Sequence, residues 1–502
     1  MARYKDYNYD QSKFIPISFS RQILPGSFEY TLSHLIDHEI DLTAFHAKYR
    51  NDETGAPAYD PAILLKIVLY AYSRGITSSR DIERCCIENI IFMALSADTH
   101  PHFTTIAGFV SSMGEQITPL FREVLMICDE MGLIGREMFA INGCKLPSNA
   151  SKEWSGTREE LGRKSEKMDQ AVRFMMGKHK EEDQAGLPSR HRQKEIQQIE
   201  TLQKNIRKIR DWPDDNDDKP GKTGKPLKSN ITDNESAKMK TGHGVIQGYI
   251  GVANADAKYQ VVVHAQAFGE AQEHDLLLPM IEGTKENFEA DIFAKAALTA
   301  DSGYHSEKNM KALFEQNIDA YIADTQFRKR DPRFATANRH KGESKRKYYA
   351  PKDFIYDEAS QTCICPAGRK LYRNGSRCKV KNLEAVKFQG PKSACVPCIQ
   401  RAKCLRSPEK TATRQVYFFK GSAPGVPETY THKMKKKIDS QEGRHQYSRR
   451  LGIVEPVFGN VSSILGLNRF SLRGKLKVDI QWKLYNIVHN LFKIHRYGVI
   501  SG

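Results

Sequence analysis

Three polar residues stand where a sheet could bring their side chains to one edge. Asn142 follows the apolar run 138–141, Asp301 follows the apolar run 296–300, and Glu455 lies in a later segment with helical spacing. The apolar runs predict buried strands. The ends of neighbouring strands meet at one rim, where acidic groups could hold two divalent ions that activate water or a 3′-hydroxyl for phosphoryl transfer. Because acids at strand ends occur in many proteins, this spacing alone does not identify the site.

Six of the ten cysteines fall within one short segment of the chain. They are Cys363, Cys365, Cys378, Cys395, Cys398 and Cys404. A Cys-x-x-Cys pair such as 395 and 398 places two thiolates on one turn, from which both can reach a tetrahedral ion. We predict one structural Zn²⁺ held by this pair and by two of the other four cysteines. Reduced thiols without a ligand are the alternative, and a disulfide does not suit a cytosolic chain.

Residues 1–135 predict a helical N-terminal domain that binds DNA. Asp60 followed by proline is typical of a helix start, with Asp as the N-cap and Pro in the first turn. Further helices are predicted after a cap at Thr104 or Thr105 and over about 117–131. Short helices joined by tight turns suit a helix-turn-helix DNA reader. A plain helical bundle is the alternative, because no helix here has a clear basic face.

Residues 136–325 alternate strands and helices, which predicts an α/β core. Strands are expected at 138–141, 243–250, 259–267, 296–300 and 320–323, and helices at 271–282 and 305–316. The first strand is expected to end at Asn142, and residues 251–256 are expected to connect the second and third strands. A charged segment at about 155–230 interrupts the core, and its apolar residues, spaced three or four apart, predict a helical hairpin.

Two further regions complete the predicted organisation. Residues 326–440 form a basic, Cys-rich insertion, a candidate zinc ribbon. Residues 441–502 form the C-terminal helical part of the core, which carries Glu455. The insertion contains two basic runs, at 328–347 and 433–437.

The composition favours a polyanionic partner. The chain has 502 residues, with 77 Lys and Arg against 60 Asp and Glu, which gives a net charge of +17. Nucleic acid is the first such partner to expect, and a basic protein without one is the alternative. We expect a cytoplasmic protein, because no apolar run is long enough for a transmembrane helix and the first residues lack the apolar stretch of a signal peptide.

Separate segments of the chain resemble DDE-type transposases of bacterial insertion sequences. Residues 300–306 resemble the segment around the second Asp of that family, and residues 447–460 resemble its Tyr-Arg-Glu signature around the last acid. Residues 139–145 resemble the strand with the first Asp, whose usual form is Ile-Asp-Gly. Residues 468–474 match the C-terminal part of the family, and the helical N-terminus looks like its InsH-type N-terminal domain.

The resemblance implies an α/β fold with a ribonuclease-H-like catalytic core, a helical N-terminal domain, a helical insertion and a small Cys-rich insertion. Asp301 and Glu455 would be ligands of Mg²⁺ or Mn²⁺, and Asn142 would occupy the first ligand position. Arg450 and Tyr447 would position phosphate or the helix that carries the Glu. The implied partners are the terminal inverted repeats and target DNA, with a homo-oligomer assembled on the DNA. The implied reaction is hydrolysis and strand transfer at the 3′ ends of the repeats.

The chain departs from the family pattern at two positions. Asn142 stands where the family has its first catalytic Asp, and an amide contributes a carbonyl oxygen without the charge of a carboxylate. Ser462 stands where the family often has Lys or Arg. We therefore predict impaired DNA cleavage. An inactive, transposase-derived DNA-binding protein is the main alternative, and a metal-dependent nuclease that cleaves without joining is the second.

Overall fold

The structure is a computed structural model. It describes residues 10, 16–49, 57–184, 192–216, 219–221, 224–242, 244–288, 291–334, 336, 347–375, 378–380, 383–422 and 428–499. The chain divides into two compact units, Met1–Asp324 together with Gln441–Gly502, and Thr325–Ser440. Among the helices that the structure describes, none combines the length and the apolar character needed to cross a membrane.

Within the described residues, the N-terminal part of the first unit contains seven α-helices. They are α1 Phe28–His34, α2 Thr43–His46, α3 Pro61–Ser73, α4 Ser79–Glu88, α5 Ile90–Leu95, α6 Phe103–Ser111 and α7 Ile117–Glu130. The predicted start of α3 is confirmed, because the Asp60 side chain accepts a hydrogen bond from the Ala62 N–H at 2.8 Å. This helix ends before Gly75, whose φ of +74° is a left-handed conformation that favours glycine.

The start of α6 differs from the prediction. The expected N-cap at Thr104 or Thr105 is wrong, because the helix already begins at Phe103. Its N-cap is His102, whose Nδ1 accepts a hydrogen bond from the Thr104 N–H at 3.4 Å. An imidazole nitrogen thus takes the capping role that the sequence analysis gave to a hydroxyl.

A helical hairpin lies inside the segment 155–230. Its helices are α8 Arg158–Gln184 and α9 Arg192–Asp215. Buried apolar side chains join the two helices in two small clusters, formed by Leu161, Ile209 and Trp212 and by Val172, Ile199 and Ile206.

One mixed sheet forms the core of the first unit. The strands of this unit are β1 Met138–Pro147, β2 Ser155–Gly156, β3 Ser229–Asn230, β4 Ala237–Thr241, β5 Gly244–Asp256, β6 Val262–Phe268, β7 Ala297–Ala300 and β8 Asp319–Ile322. The sheet has the order β6-β5-β1-β7-β8, with β4 also paired to β5. Strands β1, β5 and β6 are antiparallel, whereas β1, β7 and β8 are parallel. Helices α10 Leu277–Glu286 and α11 Glu307–Glu315 connect these strands, so the predicted mixed α/β core is confirmed.

Strands β1 and β5 are longer than predicted. The expected end of the first strand at Asn142 is wrong, because β1 continues to Pro147 with an antiparallel partner along its whole length. Residues 251–256, expected to be a connection, form the second half of β5. Strand β1 lies on one side of this half and β6 on the other, so both edges of its backbone are paired.

Helix α10 begins later than predicted. A helix was expected over 271–282, but residues 271–276 form bends and turns, and α10 starts at Leu277. In the turn, the Leu276 N–H donates to the Glu273 carbonyl at 3.0 Å. Glu273 therefore stands on a turn that follows β6, outside the helix.

The second unit is built on a second, antiparallel sheet. Its strands are β9 Ile355–Asp357, β10 Thr362–Ile364, β11 Lys370–Arg373, β12 Cys378–Val380, β13 Leu383–Gln389 and β14 Gln415–Ser422. Its helices are α12 Phe327–Arg330, α13 Lys392–Cys395, α14 Arg401–Cys404 and α15 Tyr430–Asp439. The sheet order is β12-β13-β11-β10-β9, with β14 paired to β13. Its buried core consists of Phe354, Cys363, Leu371, Val386, Phe388 and Val416.

Two helices complete the first unit at the C-terminus. They are α16 Gln441–Gly459 and α17 Lys475–Tyr497. Helix α17 is fixed to the sheet by the Trp482 indole N–H, which donates to the Val252 carbonyl at 2.9 Å. Helix α17 also packs against the N-terminal helices, where the ring of Tyr485 lies 5.0 Å from the ring of Tyr72 on α3. Residues 1–135, expected to form a separate domain, thus share one compact unit with the sheet.

Candidate active site

Asn142 and Asp301 are neighbours at the edge where β1 and β7 run parallel. Ile141 pairs with Ala300 in this ladder, so the next residue along each strand stands beside the other on the same side of the sheet. Asn142 is also paired with Ala253 of β5, and its Oδ1 accepts a hydrogen bond from the next backbone N–H at 3.0 Å. The strand register alone therefore brings the two positions together.

The side of the sheet that carries Asn142 is covered by α16 and α17. Cys144, two residues along β1 and hence on the same side, pairs with Gly251 of β5. Gly251 lies directly under Trp482, since a Cβ built on this glycine would be 3.0 Å from the indole ring. Phe458 of α16 stacks on the same indole, with 6.3 Å between the ring centres. Helices α16 and α17 thus pack on the side of the sheet that carries Asn142 and Cys144.

Arg450 connects α16 to Asp301. One terminal nitrogen of its guanidinium, Nη2, lies 3.5 Å from Asp301 Oδ1. The Arg450 side chain is only 9% exposed, whereas that of Asp301 is 39% exposed. Within the described residues, Arg450 Nε and Nη1 are buried without a hydrogen-bond partner. The guanidinium centre lies 5.7 Å from the ring centre of Tyr447, one turn earlier on the helix. A buried cation with unused donors thus faces a partly exposed carboxylate.

Glu455 lies on a different side of the same helix. The buried residues of α16 are Gly443, Arg450, Ile453, Val454 and Val457, and Glu455 is exposed. Glu455 lies five positions after Arg450, which turns its side chain roughly 140° around the helix axis relative to that of Arg450. The structure therefore directs Arg450, and not Glu455, towards Asp301.

Glu273 is a member of this region that the sequence analysis did not identify. A Cβ built on Gly303 would lie 2.5 Å from its Oε2, and a Cβ built on Gly143 would lie 3.5 Å from its Oε1. The Tyr304 hydroxyl lies 3.4 Å from the same position on Gly143. Because Gly143 and Asn142 alternate across β1, Glu273 reaches the end of the sheet from the side opposite to α16. The signal in the sequence was weak, because Glu273 lies in a stretch with helical spacing.

Burial and neighbouring charges shift the pKa values of this group. Burial raises the pKa of Glu273, the Lys145 ammonium opposes the shift, and the negative charge of Asp301 adds to it. Burial also raises the pKa of the Tyr304 phenol well above its ordinary value, and the carboxylates of Glu273 and Asp301 raise it further. Both shifts indicate a half-enclosed, electronegative region. Among the residues that the structure describes, no group of three or more His, Cys, Asp or Glu side chains is already arranged to hold a metal ion.

Four of the six clustered cysteines line one cavity in the second unit. They are Cys365, Cys395, Cys398 and Cys404. The cavity has a volume of about 40 Å³, which is room for very few atoms. Burial raises the pKa of Cys404, and its thiol also interacts with those of Cys395, Cys365 and Cys398, while Arg414 counteracts the shift.

The other two cysteines of the segment lie elsewhere. Cys363 is fully buried in β10, among the apolar core residues Leu371 and Phe388, and burial raises the pKa of its thiol to about 11. Cys378 lies in β12, with its sulfur against Gly375, and it does not line the cavity.

Comparison with protein families finds transposase domains at both ends of the chain. Residues 17–112 match a transposase domain of unknown function numbered 772 (DUF772). Residues 364–495 match the transposase DDE domain. A search among curated proteins gives no match. The matched C-terminal segment contains Arg450, Glu455 and the four cysteines of the cavity, whereas Asn142 and Asp301 precede it.

The two matches define the class of the protein as a transposase. Since the C-terminal match is a transposase DDE domain, the two matches support a DDE-type insertion-sequence transposase, the class that the three motifs resemble. A DDE domain implies a ribonuclease-H-like fold, and the mixed sheet of the first unit agrees with that at the level of its α/β architecture.

Proposed function

We propose that this chain binds the terminal inverted repeats of an insertion sequence and catalyses metal-dependent cleavage and strand transfer at their 3′ ends. The observation that carries the proposal is the pairing of Ile141 with Ala300, which sets Asn142 beside Asp301 at one end of the sheet. The buried Arg450 adds a positive charge at the same place. Such an arrangement suits a reaction in which negative charge develops on phosphate oxygens.

The residues present fit a hard divalent cation such as Mg²⁺ or Mn²⁺. The Asp301 carboxylate is partly exposed, and the strand register puts residue 142 beside residue 301, so both side chains offer oxygen ligands of the kind Mg²⁺ prefers. When bound, such a cation stabilises the charge of the transferring phosphoryl group. Asp301 would hold the cation, and Arg450 would orient Asp301 or contact a phosphate oxygen. Tyr447 would support Arg450 through its ring, and Glu455 would have to be drawn inward from its exposed position to act as a further ligand.

Positive charge on the second unit supports DNA binding. The buried residues of α15 are Met434 and Ile438. Lys436 forms an ion pair with Glu428, and the four lysines of this helix are exposed or half-buried. They are Lys433, Lys435, Lys436 and Lys437. In the other basic run, 328–347, Arg330 bonds with Asp439 and Arg333 with Asp331. Residues 337–346 of that run lie outside the described residues.

The family relationship also carries the partners and the setting into the proposal. Target DNA would be the second DNA partner, and a homo-oligomer on the DNA would bring two ends together. The N-terminal helices α1 to α7 would contribute to DNA recognition. The cytoplasm is the expected location of a chain that acts on bacterial DNA.

We also propose that the second unit holds a structural Zn²⁺ ion. The thiols of Cys365, Cys395, Cys398 and Cys404 share one small cavity, and four thiolates are a common ligand set of structural zinc. Arg414 lines the same cavity, and its buried Nε has no hydrogen-bond partner within the described residues. An unpaired guanidinium N–H there suits a thiolate neighbour, because a four-thiolate zinc site has a net negative charge. The thiols would have to turn about their Cα–Cβ bonds to close on an ion.

An inactive DNA-binding protein is the second candidate, and Asn142 favours it. An amide in place of a carboxylate removes one negative charge from a site that must compensate divalent cations. The two candidates share DNA binding and differ in chemistry.

A strand-transfer assay separates these candidates. The chain is incubated with labelled, pre-cleaved and intact terminal repeats and a target plasmid, in Mg²⁺ or Mn²⁺. The proposed function predicts cleaved ends and joined products. Binding without either product supports the inactive protein, and cleavage without joining supports a nuclease.

A further inference from the structure

We propose that Glu273 reaches the end of β1 and β7 from the side of the sheet opposite to α16, and that it holds a divalent cation there together with Asp301. The proposal rests on the proposed function, because the cation is the one that DNA cleavage requires. It adds a ligand that lies outside the three family motifs, on the turn between β6 and α10.

Two glycines make room for the Glu273 carboxylate at this end of the sheet. A side chain at Gly303 would collide with Oε2, since its Cβ would be 2.5 Å away. At Gly143 the corresponding Cβ would be 3.5 Å from Oε1 and 2.9 Å from the side chain of Ile250. Gly143 directly follows Asn142, and Gly303 lies two residues after Asp301. The carboxylate therefore lies against the glycine backbone that follows each candidate ligand position, and it approaches this end of the sheet from the side opposite to α16.

The polar groups around Glu273 have unused hydrogen-bonding capacity. Tyr304 is fully buried, and within the described residues its hydroxyl has no hydrogen-bond partner. In the same part of the chain, the Glu273 carboxylate has no hydrogen bond and no ion pair. A buried hydroxyl without a partner is unfavourable, and so is a half-buried carboxylate beside a second carboxylate. A cation with coordinated water would satisfy both groups.

The turn that carries Glu273 is fixed independently of any ligand. The Asn309 side-chain amide donates to the His274 carbonyl at 2.7 Å and to the Tyr304 carbonyl at 2.8 Å. Asn309 is buried at the start of α11, so one side chain ties the Glu273 turn to the turn that follows Asp301. The position of the Glu273 turn relative to the turn that follows Asp301 is therefore determined by the fold.

The nearest alternative partner of Glu273 is a protein cation, and Lys145 is the candidate. The Lys145 ammonium interacts electrostatically with Glu273, but its Nζ lies 3.5 Å from the Lys240 carbonyl oxygen and forms no ion pair with Glu273. A lysine would neutralise the carboxylate without using the Tyr304 hydroxyl, which it does not contact. The arrangement accordingly favours a metal cation over Lys145.

The test is Mn²⁺ binding to the full-length chain without DNA, measured by calorimetry and by electron paramagnetic resonance. The variants are Glu273→Gln, Asp301→Asn and the matched control Glu270→Gln, an exposed acid in the same loop. We expect Glu273→Gln and Asp301→Asn each to weaken Mn²⁺ binding on the order of tenfold, because each removes one charged ligand. Glu270→Gln should bind as the unchanged chain does. Thermal melts verify that each variant is folded.

Each outcome decides the proposal separately from the proposed function. Equal Mn²⁺ binding by Glu273→Gln and the unchanged chain would overturn the role of Glu273, while strand transfer could still proceed through Asp301. Absence of Mn²⁺ binding by the unchanged chain would also overturn it. If Glu273→Gln does not fold, Gly303→Ala is measured in its place, because the added methyl group must displace the Glu273 carboxylate. Unchanged Mn²⁺ affinity in a folded Gly303→Ala chain would contradict the proposal.

Discussion

Arg450 Nη2 lies 3.5 Å from Asp301 Oδ1, and this is the contact through which α16 reaches the end of the sheet. The Arg450 side chain is almost enclosed, with Nε and Nη1 unpartnered among the described residues. Asp301, in contrast, remains partly open to solvent. In this pair, the Asp301 carboxylate is therefore accessible to a ligand, whereas the Arg450 guanidinium is buried in the protein.

Replacing Arg450 should impair catalysis more than it impairs folding. Arg450→Lys keeps the charge but loses the planar fork of donors, so we expect DNA cleavage to fall on the order of tenfold or more. The control is Arg449→Ala, an exposed residue one position earlier on α16, which should leave cleavage unchanged. Single-turnover cleavage rates and melting temperatures measure the two effects. Equal cleavage rates of Arg450→Lys and Arg449→Ala would show that Arg450 is only structural.

DNA affinity should depend steeply on salt, with a share contributed by α15. Each phosphate neutralised by a lysine releases counterions, which gives a slope of about −0.9 per contact in a plot of log affinity against log salt. We expect the double substitution Lys433→Gln with Lys436→Gln to make this slope shallower by about two. The control is Lys308→Gln on α11, also an exposed lysine. Fluorescence anisotropy over a salt series measures the slopes, and identical slopes would remove α15 from the DNA interface.

His489 should make the stability of the first unit depend on pH. It is buried, its Nε2–H donates to the Gln260 carbonyl at 2.8 Å, and its Nδ1 lies 2.8 Å from Asn460 Nδ2. Burial is the main cause that lowers the pKa of His489 to about 4. The charges of Lys493 and Arg496 act in the same direction, and the hydrogen bond to Gln260 opposes them.

Between about pH 6.5 and about pH 4, the unfolded chain therefore binds a proton at His489 that the folded chain does not bind. The contribution of the neutral His489 is complete above this window and is lost as the pH falls through it, at about 1.4 kcal/mol per pH unit. We expect the melting temperature of the unchanged chain to fall more steeply with acid than that of His489→Gln. Parallel curves for the two chains would contradict this linkage.

The sequence was informative where structure is determined locally. The apolar runs before Asn142 and Asp301 located β1 and β7, because four or more buried residues in sequence leave few alternatives to a central strand. Once β1 and β7 are parallel neighbours, their register places Asn142 beside Asp301. The same reasoning placed the true end of β1 wrongly, since the length of a strand depends on its partner, and β5 lies about 100 residues further along the chain.

The position of Glu273 could not be predicted from local spacing. Residues 271–282 have the spacing of an amphipathic helix, yet the first six form turns. The turn is held by Asn309, which lies 35 residues after His274, so only tertiary structure reveals it. The direction of the Arg450 side chain could have been predicted from the sequence. The apolar residues Ile453, Val454 and Val457 define the buried face of α16, and helical spacing places Arg450 on that face.

Zinc content should depend on four particular cysteines. We expect about one Zn²⁺ per purified chain, lost or strongly reduced in Cys365→Ser and in Cys398→Ser. The control is Cys378→Ser, since this cysteine lies outside the cavity although it is in the same segment. Elemental analysis gives the zinc content, and Co²⁺ substitution should give the absorption bands of a tetrahedral thiolate site. Zinc retained by Cys365→Ser, or lost by Cys378→Ser, would contradict this ligand set.

Asn142→Asp should raise Mg²⁺-dependent cleavage on the order of 100-fold or more, because a carboxylate at this position adds a charged ligand beside Asp301. The change is isosteric, and the side chain stays at the partly accessible end of the β1–β7 ladder, so folding should hardly change. The added negative charge should also tighten Mn²⁺ binding in calorimetry, while DNA affinity, which depends on lysines of the second unit, stays nearly constant. Asn149→Asp, an exposed position later in the same segment, is the matched control for the added charge. Cleavage by the unchanged chain at the rate of Asn142→Asp would show that residue 142 is not a cation ligand. A gain in Mn²⁺ affinity equally large in Asn149→Asp would lead to the same conclusion, since the effect would then be a general one of charge.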